Sequence, residues 1–118
     1  MKSAHKQAAF TIAADALRNG FQVNARVSGR SMLPLLWPGM LVRIAPLSNE
    51  TLKPGQIVCY TKQNRFIMHK FLAYTTDSKY VVCKGYFAKK CDEPVEMNNI
   101  IGKLHSIRLF GFWFSIAL

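Results

Sequence analysis

Ser31 lies in a short segment whose residue types suit a rigidly held, exposed nucleophile. The segment reads Val27-Ser28-Gly29-Arg30-Ser31-Met32-Leu33-Pro34. Glycine two residues before Ser31 allows a sharp turn, and proline three residues after it restricts the path of the chain. A serine constrained in this way can present its hydroxyl beside free backbone N–H groups that would stabilise an oxyanion. An ordinary Ser-Gly turn before a strand has the same pattern, so the segment alone leaves both interpretations open.

His69 is the candidate general base for such a serine. Histidine side chains in general titrate near neutrality, so a neutral imidazole can accept a hydroxyl proton at physiological pH. Taken alone, a histidine in an apolar run is better explained as a core or surface residue. The serine and the order of the surrounding motifs favour the catalytic interpretation.

The order of several motifs resembles the signal peptidase I superfamily. The pattern S-G-x-S-M-x-P around Ser31 is similar to the nucleophile motif of that family, in which the serine before methionine attacks a peptide carbonyl. Further segments similar to family motifs follow in the same order. They are Pro38-Gly39-Met40-Leu41-Val42, Lys53-Pro54-Gly55-Gln56-Ile57-Val58, Ile67-Met68-His69-Lys70-Phe71, Cys83-Lys84-Gly85 and Ile100-Ile101-Gly102-Lys103-Leu104. The resemblance covers residues 25–105, which is most of the chain.

The resemblance implies a role for each matching position. His69 occupies the position of the general base, where the archaeal and endoplasmic-reticulum branch has histidine and the bacterial branch has lysine. Asp92, seven residues after Gly85, fits the offset of the acid that orients this histidine, although a solvated loop aspartate would look the same. Ser28 is a candidate oxyanion or substrate contact that also suits a turn. Met32 is a candidate for lining the substrate cleft and equally suits a core.

Departures from the family pattern keep other functions open. The family commonly has Gly-Asp at three places where this chain has Gly39-Met40, Gly55-Gln56 and Gly85-Tyr86. These losses motivate a second hypothesis, a catalytically inactive domain that binds peptides or a partner protease. A third hypothesis, a nucleic-acid-binding module, rests on the formal net charge of +10 and lacks a matching motif, so no nucleic-acid partner is expected.

The composition is that of a folded domain without a metal or disulfide framework. Half of the residues are hydrophobic, and the cysteine count of 3 is odd, which favours reduced, mostly buried thiols. No metal-ligand spacing occurs, and we expect no metal or cofactor. The expected partner is a peptide or precursor-protein substrate. The N-terminus lacks the pattern of a signal peptide and no apolar run reaches spanning length, which favours a cytoplasmic or peripherally membrane-associated protein.

The spacing of apolar runs and turn signals predicts a compact, mainly antiparallel β domain with one N-terminal α-helix. The fold implied by the resemblance is the β fold shared by signal peptidases and self-cleaving repressors. We expect one domain, 1–118, divided into an N-terminal helix within 1–20, a β region over 21–109 and an apolar C-terminal segment, 110–118. That last segment favours a terminal core strand over an interfacial membrane anchor supported by the basic charge.

Within this plan the helix is predicted over 3–19, with Gly20 just beyond its end. Its apolar stripe comprises Ala8, Ile12 and Ala16, with Ala9, Ala13 and Leu17 beside it. Strands are predicted over 21–27, 40–45, 57–61, 66–74, 79–84 and 100–109, the last one broken at Gly102. Residues 85–99 are predicted to be irregular.

Overall fold

The computed structural model describes residues 2–47 and 51–116 as one α-helix and eight β-strands. The predicted class, mainly antiparallel β with one N-terminal helix, is confirmed. The elements are α1 (Lys2–Arg18), β1 (Val23–Arg26), β2 (Leu41–Pro46), β3 (Ile57–Lys62), β4 (Arg65–Tyr74), β5 (Tyr80–Lys84), β6 (Val95–Glu96), a 3-10 turn (Met97–Asn99), β7 (Ile100–Leu109) and β8 (Phe112–Ser115).

Helix α1 ends at Arg18, one residue before the predicted end, and Gly20 just beyond it has the expected left-handed backbone. Gly20 has φ of +88°, and the two hydrogen bonds of a Schellman motif run from Gly20 N–H to Leu17 O and from Phe21 N–H to Ala16 O. The predicted stripe is only partly right. Ala14 and Leu17 are the buried residues of the described helix side chains, whereas Ile12 faces solvent.

The strands form one antiparallel sheet in the order β1-β2-β7-β3-β4-β5-β6, and β8 pairs with β7. The predicted break at Gly102 is wrong, because β7 passes through it without interruption. A Cβ at Gly102 would lie 2.7 Å from both the Ala45 carbonyl oxygen and Ile44 Cγ2 and 3.4 Å from Leu17 Cδ2. Glycine is therefore needed at this position because β2 and α1 approach β7 too closely for a side chain.

Two clusters of buried residues support the sheet. The first includes Met32 and Leu36 together with Leu17 of the helix and residues of β2, β3 and β7. The second includes Tyr60 and Phe71 beside β5 and the start of β7. The loop that carries Ser31 is thus anchored in the first cluster, and the strands that carry His69 and Tyr60 contribute to the second.

The segment after β5 and the C-terminal segment both differ from expectation. Residues 85–99, predicted to be irregular, include β6 and the 3-10 turn. The C-terminal segment does form a strand, β8, but it is not a core strand, because Phe112 and Phe114 are exposed. Residues 117 and 118 of that segment lie outside the described part. Within the described ranges, no helix is long and apolar enough to cross a membrane.

Candidate active site

The loop that presents Ser31 is fixed at both ends by backbone hydrogen bonds. Val27 N–H donates to Met40 O and Gly39 N–H donates to Val27 O, each at 2.8 Å. Inside this closed loop, Gly29 has φ of +78°, a conformation that glycine adopts without steric cost. The side chain of Met32 is buried, while Ser31 itself is exposed. The loop therefore holds the Ser31 hydroxyl at the surface while the neighbouring side chain of Met32 is anchored in the core.

Three side chains form a continuous hydrogen-bonded chain that begins at this serine. Ser31 Oγ lies 2.9 Å from His69 Nε2, and His69 Nδ1 lies 2.5 Å from Asp92 Oδ2. An ionised carboxylate can only accept, so Nδ1 carries the imidazole hydrogen and Nε2 is left to accept the Ser31 O–H. The structure thus brings together the three residues that the sequence predicts as catalytic, in the order that nucleophilic catalysis requires.

His69 and Asp92 are positioned by the sheet and are shielded from most solvent. His69 lies opposite Val58 in the register of β4 with β3. The Asp92 N–H donates to Cys83 O at 2.8 Å, which ties the loop after β5 to the end of that strand. The side chains of His69 and Asp92 are 13% and 21% exposed. Partial burial strengthens their interaction, because fewer water molecules screen it.

Tyr60 is a member of the site that the sequence analysis missed. Its hydroxyl donates to Asp92 Oδ2 at 2.7 Å, so the same carboxylate oxygen accepts hydrogen bonds from both Tyr60 and His69. Burial, followed by the hydrogen bond and the negative charge of Asp92, raises the pKa of Tyr60 well above its ordinary range. Tyr60 therefore stays protonated and serves Asp92 only as a donor. It follows the apolar residues Ile57, Val58 and Cys59 of β3, and no sequence signal distinguished it from a core residue.

A second contact missed from sequence holds the backbone of the nucleophile. Tyr86 N–H donates to the Ser31 carbonyl oxygen at 2.9 Å. At the preceding residue, a Cβ on Gly85 would lie 3.0 Å from that same oxygen. The absence of a side chain at Gly85 lets the two loops approach closely. The Gly85-Tyr86 pair, which departs from the family pattern, thus fixes Ser31 through the main chain.

The main chain at Ser31 also offers a donor for an oxyanion. Among the described residues, the Ser31 N–H makes no hydrogen bond to another protein group. Ser28 is exposed and borders the same cleft as Ser31, and its role in binding an oxyanion or substrate stays a prediction. Met32 also borders the cleft, but most of its side chain belongs to the core.

The site opens into a cleft of about 890 Å³ between the helix, β1 and the first half of β4. This size is in the range of ligand-binding pockets. Apolar side chains make up much of its wall, including Phe10 of α1, whose ring centroid lies 4.8 Å from that of Phe66. Arg26, Arg30 and Arg65 also line the cleft, and no carboxylate is among its described lining residues.

Other polar and ionisable side chains of the described chain lie outside this constellation. Asp77 accepts hydrogen bonds from Thr75 Oγ1 and the Lys79 N–H in the turn between β4 and β5. Burial raises the pKa of both the Cys59 and the Cys83 thiol to about 12, so these buried cysteines are poor nucleophiles. Within the described chain, the fold and the site therefore define an antiparallel β protein with a Ser–His–Asp hydrogen-bonded chain at an open cleft.

Comparison with protein-family models, curated proteins and solved structures finds no match to this chain.

Proposed function

We propose that the protein is a serine endopeptidase of the signal peptidase type. The observation that carries this proposal is the 2.9 Å approach of Ser31 Oγ to His69 Nε2, with Asp92 on the far side of the ring. A core histidine would not need a surface serine on one nitrogen and a partly buried carboxylate on the other. General-base catalysis requires this arrangement.

Catalysis would proceed through an acyl-enzyme at Ser31. His69 Nε2 takes the Ser31 proton while Oγ bonds to the carbonyl carbon of the scissile peptide. The Ser31 N–H stabilises the oxyanion, and Asp92 stabilises the imidazolium. His69 then gives its proton to the leaving amine as the C–N bond breaks. Water, deprotonated by the same imidazole, attacks the ester and releases the second product.

The strand edges beside the cleft suit an extended peptide substrate. Among the strands that the structure describes, β1 is an edge strand that pairs with β2 alone. Across the cleft, β5 pairs with β4 only from Lys70 onward, so the described part of β4 just before Lys70 has an unpaired side. An extended chain can hydrogen-bond to such edges while its alternate side chains enter the cleft. A leader segment, a signal segment or a peptide precursor would meet this requirement.

The alternative, an inactive peptide-binding domain, differs in the reactivity of Ser31. A pooled synthetic peptide library with mass-spectrometric detection of products separates the two. We expect the wild-type chain to cleave a subset of the peptides and the Ser31→Ala variant to cleave none above background. The matched control is Ser115→Ala, which removes an exposed hydroxyl from β8 and leaves activity unchanged.

Equal cleavage by the wild type and Ser31→Ala would assign the activity to another group or a contaminant and overturn the proposal. If peptides bind to both proteins and neither cleaves, the inactive-domain hypothesis replaces it. Circular dichroism of Ser31→Ala should match the wild type, because the substituted hydroxyl is exposed and bonds to no core group.

A further inference from the structure

Five large apolar side chains are exposed at one end of the sheet, next to the loop that carries Ser31. They are Leu35, Trp37, Phe110, Phe112 and Phe114, with exposed fractions of 38%, 57%, 93%, 69% and 49%. We call this set the aromatic tip. Single exposed apolar residues are common on protein surfaces, but a contiguous group of this size marks an interaction site.

The strand register shows that the aromatic tip is contiguous. Phe112 pairs with Leu109 and Phe114 pairs with Ile107, so both phenylalanines point to the same face of the sheet as these two β7 residues. On that face, Ile107 and Leu109 share one groove with Leu35, Trp37 and Phe110. The tip therefore joins the β7–β8 hairpin to the end of the nucleophile loop.

Phe110 occupies a backbone position that disfavours a large side chain. It has φ of +53° at the turn of the hairpin and is followed by Gly111 with φ of +81°. Turns of this kind favour asparagine or glycine at the first position, because a bulky side chain is strained at positive φ. Phe110 is also the most exposed of the large hydrophobic residues described, so burial does not offset this cost. Neither its backbone conformation nor packing within the described chain explains a large aromatic side chain here, which favours contact with a surface outside that part of the chain.

The sheet strands around the tip carry positive charge alone. Residues 41–46 and 100–115, which form β2, β7, the hairpin turn and β8, contain three Lys and Arg side chains and no Asp or Glu. Two of these, Arg43 and Arg108, stack on the Trp113 ring with their guanidinium carbons 4.1 and 5.6 Å from its centroid. Because Trp113 alternates with Phe112 and Phe114 along β8, these cations lie on the opposite face of the same narrow strand. An apolar tip bordered by cations is complementary to a surface with an apolar interior and an anionic outer layer.

We propose that the aromatic tip docks the protein on the surface of an anionic lipid bilayer. The exposed rings would enter the interface between headgroups and acyl chains, and the flanking arginines would pair with lipid phosphates. Aromatic side chains favour this interfacial depth. Trp37 follows Ser31 by six residues within one compact turn, so docking would hold the cleft entrance close to the bilayer. The docking surface does not depend on Ser31 being catalytic.

Vesicle co-sedimentation of the full chain tests this proposal directly. We expect binding to phosphatidylcholine vesicles that contain about one-third phosphatidylglycerol, with weaker binding to phosphatidylcholine alone and at high salt. The double substitution Phe110→Asn and Phe112→Ser should weaken binding about tenfold or more. Arg108→Gln should weaken it about fivefold on the anionic vesicles. The matched control is Phe21→Ser, an exposed aromatic near the opposite end of β1 from the tip.

Thermal unfolding separates docking from folding. Phe110→Asn alone should unfold at the same temperature as the wild type or higher, because asparagine suits the turn, while it weakens vesicle binding.

The proposal is overturned if the wild type does not bind the anionic vesicles, or if Phe21→Ser weakens binding as much as the tip variant. It is also overturned if the wild type does not bind vesicles but forms a concentration-dependent dimer that the tip variant abolishes. In that case the surface that covers the tip is a second copy of the chain. Tighter binding to duplex DNA than to vesicles, unaffected by the tip variant, would assign the basic strands to nucleic acid instead.

Discussion

Asp92→Asn is the substitution that isolates the electrostatic part of the proposed mechanism. Asparagine has nearly the same shape, and its carbonyl oxygen can still accept from Tyr60. It removes the charge that lies against His69 Nδ1 at 2.5 Å. For charge centres about 4 Å apart in surroundings of effective dielectric constant 20, the lost attraction to imidazolium is about 4 kcal/mol. This corresponds to a fall in kcat of about a thousandfold.

The amide oxygen, in the place of Oδ2, accepts hydrogen bonds from both the Tyr60 O–H and the His69 Nδ1–H. His69 then keeps its tautomer, so the expected loss is that of the negative charge alone. The assay is kcat and KM on one peptide selected from the library, with Glu93→Gln as the neighbouring control. We expect KM to change little and the control to keep full activity. A kcat within fivefold of the wild type would refute the assigned role of Asp92.

Three further outcomes are expected. Tyr60→Phe removes a hydrogen-bond donor from Asp92 Oδ2. Urea titration should show a free energy of unfolding lower by about 1–3 kcal/mol, and peptide kinetics should show a lower kcat with little change in KM. Peptides with Asp or Glu near the cut should be cleaved faster than their Asn or Gln analogues, since the cleft is lined by arginines and no described carboxylate; Arg65→Glu should abolish this preference. Alkaline urea titrations should show the free energy of unfolding falling from about pH 9 to 12, because burial raises the pKa of the Cys59 and Cys83 thiols from 9.0 to about 12 and both stay protonated in the fold while the unfolded thiols ionise. Cys59→Val should reduce this slope, and Cys83 and Tyr60 account for the part that remains.

Elements with strong local signals could be predicted from the sequence. Gly20 ends α1 because its left-handed backbone completes a Schellman motif with the preceding turn. The boundaries of β3, β4 and β7 were predicted to within one residue, since each lies between turn residues and consists of β-favouring types. Gly102 misled the prediction because a strand glycine can mark either a break or a close approach, and only the position of the neighbouring backbone distinguishes them.

The site was predictable only in part, for a physical reason that differs from residue to residue. Ser31, His69 and Asp92 stood out because their spacing resembled an ordered family pattern. Tyr60 did not, because its ring is buried like a core residue and its function depends on where one hydroxyl points. Tyr86 acts through its main-chain N–H, which any residue except proline would supply, so its side-chain type carried no signal.

The exposed aromatic residues of β8 show why hydrophobicity alone does not predict whether a strand is buried in the core. The apolar residues of β8 predicted a buried strand, because hydrophobicity indicates a preference for burial but not the identity of the covering surface. In the described chain, β8 pairs only with β7, and no element covers Phe112 or Phe114. Whether an apolar strand becomes core or interface depends on which elements remain to cover it, and this is a property of the whole topology.

Covalent capture of the nucleophile tests the central claim most directly. A peptidyl phosphonate that carries the best-cleaved library sequence should phosphonylate the wild-type chain once, and digestion with tandem mass spectrometry should place the adduct on Ser31. His69→Ala should slow this reaction by about a hundredfold or more, since the hydroxyl loses its general base, and Ser31→Ala should abolish it. An adduct on another residue, or labelling of Ser31→Ala at the wild-type rate, would contradict the assignment of Ser31 as the nucleophile.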